Sequence, residues 1–238
     1  MYFLLGIDDT DSAEADSTTE LALALGKELE NQSLAKLVHI SLHQLIQQPS
    51  VPCTKLNQAA CLFLDAAPDK RREIDLACRK FLLAACDSQS NPGYALADWS
   101  QFSHEVIAWG KNCQTTPLKR QEALTLGRKN GLLLAGILGN GCGVIGALAA
   151  VGLRFEGNDG MITWMPGLTN LSGVYTQAEL ARYIRFDSIE NEQRRRPAFD
   201  DRILFEGAIS PILKDGRVVL PICAAKRGQN FEWQVKVN

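Results

Sequence analysis

A hydrophobic strand that runs straight into a knot of carboxylates restricts this chain more than any other feature. Tyr2-Phe3-Leu4-Leu5 leads into the loop Gly6-Ile7-Asp8-Asp9-Thr10-Asp11-Ser12, and Asp16-Ser17-Thr18-Thr19-Glu20 leads out of it into a helix. Asp8, Asp9, Asp11, Glu14 and Asp16 fall within nine residues. Like charges this close repel unless a cation, a helix N-terminus or water offsets them. Carboxylate and hydroxyl oxygens with no His or Cys nearby suit Mg²⁺ or Ca²⁺, and Mg²⁺ commonly takes one or two carboxylates together with nucleotide phosphates. Phosphate chemistry is the first expectation.

Part of the acidity has a purely local explanation. Ser17 with Glu20 three residues later spells a capping box, and acids near a helix N-terminus are favourable without a ligand. That accounts for Asp16, Ser17 and Glu20 but not for Asp8, Asp9 and Asp11, which precede the cap and are the candidate metal ligands. An EF-hand is excluded: counted from Asp9, Ala13 stands where an oxygen ligand belongs and Glu14 where glycine belongs.

Charge and cysteine usage narrow the class. A net charge of −2 over 238 residues gives no general basic field for nucleic acid. Arg194-Arg195-Arg196 and Lys226-Arg227 are local basic runs, and such runs ordinarily form a solvated face. Seven cysteines without a CxxC pair fit neither a disulfide scaffold nor a zinc ribbon. With Asp8 interrupting the N-terminal apolar run, no signal peptide is expected, and a cytoplasmic location with reduced thiols follows.

Periodicity supplies the expected elements. Leu21, Leu25 and Leu29 give the first helix one apolar face; residues 35–42 and 59–64 read as strands; residues 69–86 read as a second helix with Ile74, Cys78, Phe81 and Leu82 on one stripe. With His104-Glu105-Val106-Ile107-Ala108-Trp109 taken as a strand, residues 1–112 spell βαββαβ, so the expected class is α+β, a ferredoxin-like half joined to a second α/β half over 113–238. His39 and His43 share a strand face but have no third ligand beside them. Lys55 and Asn57 end a Pro-rich loop just before a strand, a common position for binding residues.

The second half is expected to open with a helix from Thr116-Pro117 to about Asn130, then a Gly-rich stretch and an Ala-rich helix. Gly141, Gly143 and Gly146 match GxGxxG by letter. A dinucleotide fold is not supported, because Glu156 and Asp159 come too early to be its ribose-binding acid. Close helix packing and a phosphate-facing turn both remain open for these glycines. Leu153-Arg154-Phe155 and Met161-Ile162-Thr163-Trp164 read as a hairpin about Asn158-Asp159-Gly160, Thr176 as a cap with Glu179, residues 187–201 as a linker, and the remainder as three strands.

The loop Gly6-Ile7-Asp8-Asp9-Thr10-Asp11-Ser12 with Ser17-Thr18-Thr19, the Val51-Pro52 and Asn57-to-Ala60 block, and Gly143 to Ala150 together resemble the archaeal tRNA-isoleucine agmatidine synthetases. That resemblance implies an atypical kinase-like domain beside a ferredoxin-like one. In the family these use ATP and Mg²⁺ to phosphorylate a cytidine base oxygen, so that agmatine can displace the phosphate. By resemblance Asp8, Asp9 and Asp11 would handle metal and triphosphate, and Thr18 would match the family's functional threonine, these four being the candidate catalytic residues. Thr10, Ser12, Thr19, Lys55, Asn57, Gly141 and Gly143 are the candidate nucleotide-binding residues. Residue 17 is Ser where the family has Cys, and the chain matches the core without the family's OB-fold and zinc ribbon. The expectation is a Mg²⁺- and ATP-dependent phosphoryl-transfer enzyme whose acceptor is tRNA or a small molecule, with a separate RNA-binding subunit as a possible partner. The alternative is a nucleotide- or metabolite-binding regulatory protein.

Overall fold

The computed structural model of the chain describes residues 1–10, 17–48, 56–226 and 228–236. β1 (Tyr2–Asp8), α1 (Thr18–Asn31), β2 (Lys36–Gln44), β3 (Gln58–Asp65), α2 (Arg71–Ala85) and β4 (Gly93–Asp98) follow the expected βαββαβ order. β1 pairs antiparallel with β3 and with β4, and β3 pairs antiparallel with β2. The resulting order β4-β1-β3-β2 is the split βαβ arrangement of a ferredoxin-like sheet. Strand alternation sends Phe3, Leu5 and Ile7 to one face, where they meet Leu21, Leu25 and Leu29 of α1 and Ile74, Cys78 and Leu82 of α2.

Leu4 points the other way, and that face is covered by later elements. These are α3 (His104–Cys113), α4 (Arg120–Lys129), β5 (Leu133–Gly136), which extends the sheet by pairing with β4, and α5 (Val144–Glu156). Nearly every residue of α5 is buried, as expected of a helix that is apolar all round. It packs over β1, β3 and β4 and against α3. A Cβ on Gly6 would sit well inside contact distance of the Ala147 carbonyl oxygen, and one on Gly152 would strike the Val106 carbonyl of α3. Missing side chains thus allow backbone to lie on backbone.

The sheet continues past β2 through β6 (Met161–Trp164). β7 (Gly173–Tyr175), α6 (Gln177–Leu180), β8 (Ser188–Glu190), β9 (Ile203–Phe205), β10 (Ile212–Lys214), β11 (Arg217–Ala224) and β12 (Trp233–Val235) complete the described elements. The strand order from β6 is β10-β11-β12-β9-β7, with β8 parallel to β11. A third apolar cluster, including Ile162, Leu180, Ile203, Phe205, Leu213 and Leu220, lies among these strands. Among the described residues no helix is long and apolar enough to cross a membrane.

Three local expectations are corrected. Residues 104–109 are helical: Ser103 caps the segment by accepting from the Val106 N–H, and Val106, Trp109, Gly110 and Cys113 are buried at helical spacing. The fourth strand is instead Gly93–Asp98, whose Tyr94 to Ala97 run is buried on both faces and so shows no alternation. Leu153-Arg154-Phe155 ends α5, closed by Gly157 at φ 76°, and β6 pairs with β2 and β10 rather than forming a hairpin. The stretch 187–201 contains β8 and is not a bare linker.

Gly6→Ala is expected to lower unfolding free energy by about 3 kcal/mol in urea titration, because the backbone of α5 must back away. Gly26→Ala in α1 should cost less, about 1 kcal/mol, since the nearest atoms to its Cβ belong to the side chain of buried Leu37 rather than to backbone, and the helix gains propensity.

Candidate functional site

β1 ends at Asp8, opposite Gly93, and the chain then turns sharply: Asp9 has φ 54°, a left-handed conformation that Asp tolerates better than most residues. Thr10 is buried, and its hydroxyl donates to Oγ1 of Thr18, 3.2 Å away and also buried, on the first turn of α1. The expected capping box is present: Ser17 N–H and Oγ donate to Glu20 Oε2 at 2.9 and 2.8 Å. Asp8, Asp9, Thr10, Thr18 and Thr19 are therefore gathered at one strand end and one helix start. Asp11, Ser12 and Lys55 lie outside the described residues.

The Gly-rich turn reaches the same place from the far side of the sequence. Asn91 holds it, with Oδ1 accepting from Asn140 N–H and its carbonyl from Gly143 N–H, each at 3.0 Å. Gly141 takes φ 62°. A Cβ at Gly143 would collide with the Asp8 carbonyl, and one at Gly146 with the Asp8 carboxylate. Close packing is thus one job of these glycines, and the carboxylate it admits lies at the first turn of α5, where the helix dipole favours negative charge. Asn57 is committed differently: its amide donates to the Ile46 carbonyl at 2.7 Å and its own carbonyl accepts from Leu45 N–H, closing the connection between β2 and β3.

Three thiols scattered in sequence feel these carboxylates. Cys142 Sγ donates to Asp9 Oδ2 at 3.2 Å, and burial followed by that hydrogen bond pushes its pKa up to about 12. Burial, with Asp8 behind it, also takes Cys113 to about 12, and burial with Asp9 takes Cys86 to about 11. The donor set of Asp8 and Asp9 with neighbouring threonine hydroxyls is hard oxygen, the chemistry of Mg²⁺. Two such carboxylates fit an ion that completes its shell with phosphates and water. Among the described residues no group of three or more His, Cys, Asp or Glu side chains forms a metal site by itself.

A second polar chain runs behind the site and has no sequence signal, because its members are far apart. Ser41 Oγ lies 2.9 Å from His43 Nε2, His43 Nδ1 lies 2.8 Å from Asp159 Oδ1, and Gln114 donates to Asp159 Oδ2 at 2.8 Å. Ser41 and His43 are wholly buried, so this serine, histidine and aspartate chain ties β2 to the turn after α5 and offers no nucleophile to solvent. Next to it Arg154 contacts His39 at 3.4 Å and lies over the rings of Phe63 and Trp99.

Burial, reinforced by Arg154 and His43, lowers the His39 pKa to about 3; burial also lowers that of His43, against the pull of Asp159. Both imidazoles are neutral in the fold, so their stabilisation is complete above the unfolded value of about 6.5 and is lost as pH falls below it. Unfolding free energy from urea titration should fall between pH 6.5 and 4, by at most about 1.4 kcal/mol per pH unit from His39, and His39→Gln should flatten that slope. Iodoacetamide at pH 7.5 should label Cys142 slowly, and Asp9→Asn should speed the labelling by removing the charge that holds the proton.

No family model matches the chain. An uncharacterised protein of Methanocaldococcus jannaschii is 29% identical over 153 residues, which is 63% of this chain and 49% of that protein. Among solved structures, a tRNA fluorescent labeling enzyme superimposes with TM-score 0.57 at 28% identity, and a complex of TiaS with its isoleucine tRNA and ATP with TM-score 0.56 at 27% identity. Apo TiaS, a tRNA agmatidine synthetase, gives TM-score 0.54 at 26% identity. The first two of these solved chains are matched over 64% of the present chain and 36% of their own, and apo TiaS over 64% and 35%. The chain thus spans about half the length of its curated relative and about a third of these solved chains, and over that span it has the α+β architecture of TiaS.

Proposed function

We propose that this chain is the nucleotide-using core of an RNA-base-modifying enzyme, transferring a phosphoryl group from ATP with the help of Mg²⁺. The observation that supports the reading best is the meeting of two distant segments, the Asp8-Asp9-Thr10 turn and the Gly141 to Gly143 turn, at the N-terminus of α5. The complex of TiaS with tRNA and ATP, similar in fold, adds the nucleotide and the RNA as the classes to test.

In this reading Asp8 and Asp9 would hold Mg²⁺ for the triphosphate, with Asp11 proposed as a further ligand by resemblance. The ion, when bound, neutralises phosphate charge and fixes the phosphates for in-line transfer. Thr19 and the backbone of Gly141 and Gly143 would line the nucleotide, with Ser12 and Lys55 proposed beside them by resemblance alone, while Thr10 and Asn57 would act by holding Thr18 and the β2–β3 connection. Thr18, held by Thr10, stands on the first turn of α1 beside the end of β1. The chain's own contribution is positioning: a strand end and two helix starts converge, and their elements are locked by buried packing rather than by exposed loop contacts. An RNA base oxygen is the favoured acceptor, and a small molecule the other.

The test is ATP turnover with and without Mg²⁺, in the presence and absence of bulk tRNA. Asp9→Asn should keep the fold and the left-handed turn, which Asn also tolerates, yet reduce turnover by about a hundredfold or more. Nucleotide binding without any Mg²⁺-dependent turnover would instead mark a nucleotide sensor, and no nucleotide binding at all would end both readings.

A further inference from the structure

The arginine run at 194–196 is not absorbed by the site at the end of β1. Its surroundings separate it from an ordinary solvated face. Asn191 Oδ1 accepts from the N–H groups of Gln193 and Arg195, which fixes the loop, and Arg194 bonds Asp215 at 3.3 Å. Arg195 and Arg196 are exposed, with no ion pair among the described residues, and three positions later Phe199 is 73% exposed. The Pro197 carbonyl between them accepts from Gln177 Nε2 of α6 at 3.3 Å, which brings in the segment after α6. There Arg182 and Arg185 are exposed and in no ion pair among the described residues, flanking Tyr183, which is 60% exposed and meets Tyr175 edge-on.

Five acids of this region are already engaged, and Asp200, beside Phe199, is the exposed exception. Glu179 closes the cap of α6 through Thr176, Asp187 accepts from Val218 N–H, and Asp201 accepts from Ala198 N–H and the Trp233 indole. Glu190 pairs with Lys214 and Glu192 with Lys236. Those five acids are turned to their own framework, while four guanidinium groups, two aromatic rings and Asp200 stay open to solvent.

The geometry points to an RNA docking surface formed by Arg182, Tyr183, Arg185, Arg195, Arg196 and Phe199, with unpaired nucleotides as its occupant. Guanidinium forks match phosphate oxygens two at a time, and exposed rings offer faces for unstacked bases. A protein partner would call for a continuous apolar centre, whereas here single rings are spaced among cations. The inference rests on the proposed function for its choice of RNA over other polyanions, and none of these residues belongs to the acidic turn.

Fluorescence anisotropy with labelled single-stranded RNA and with folded tRNA, from 50 to 200 mM salt, tests it. The Arg195→Glu/Arg196→Glu variant should bind about tenfold or more weakly with a shallower salt dependence. Phe199→Ala should weaken single-stranded RNA binding about tenfold and leave heparin binding unchanged. Thermal midpoints equal to wild type, and unaltered ATP binding, would show that fold and nucleotide site are intact. Wild-type RNA affinity in both variants overturns the surface, as does equal loss for RNA and heparin with no effect of Phe199→Ala. RNA binding that depends on these residues without any ATP turnover would sustain the surface and remove the proposed activity. Asp9-dependent turnover without RNA binding would do the reverse.

Discussion

Ala147 on α5 comes up against the backbone of β1 because residue 6 has no side chain, and the position of that helix fixes much of what surrounds it. With α5 this close, its first turn reaches the last residue of β1, and Gly143 and Gly146 leave room for the main chain and carboxylate of Asp8. Farther along, Gly152 and Gly110 let α3 lie equally close, and Trp109 of α3 donates its indole N–H to Ile145 at 3.1 Å. Backbone contact of this kind leaves little freedom for sliding, since a shift along the helix would drive a side chain into a carbonyl. The carboxylates are consequently held by a rigid element on each side.

Electrostatics at that junction are set as much by what is excluded as by what is present. Cys86, Cys113 and Cys142 crowd the acidic turn in their neutral form, kept so by burial and by the carboxylates themselves. They supply polarisable surface without adding negative charge. The helix dipole of α5 places a fractional positive end beside Asp8. The cation proposed for this turn would meet Asp9 bonded to a neutral thiol, and displacing that hydrogen bond costs far less than breaking a buried ion pair.

How much was legible in the sequence depended on how local the cause was. The Ser17 and Glu20 cap, the stripe of α1 and the strands β1 to β3 were readable because a few neighbouring residues determine them. Residues 104–109 misled because six letters of mixed apolar character fit strand and helix alike, and only the burial of Gly110 and Cys113 completes the helical stripe. β4 was missed because a strand covered on both faces loses its alternation. The glycines of residues 141–146 left two explanations open; the structure displays the packing one, while their proximity to Asp8 and Asp9 keeps the other alive. The link from His43 to Asp159 had no signature at all, being a contact across 116 positions between a strand residue and what looked like an ordinary turn.

The order in which the sheet acquires its two covers bears on how the chain is made. One face of β1, β3 and β4 is closed by α1 and α2, all within the first 98 residues, but Leu4, Ala59, Cys61, Ala95 and Ala97 on the other face wait for α3 and α5. During synthesis a four-stranded sheet with one bare apolar side precedes the arrival of residue 156. Such a surface invites either premature association or a chaperone. The same late helix that builds the acidic site therefore also ends the chain's most exposed moment, so a pause in translation before α5 would affect solubility and the site together.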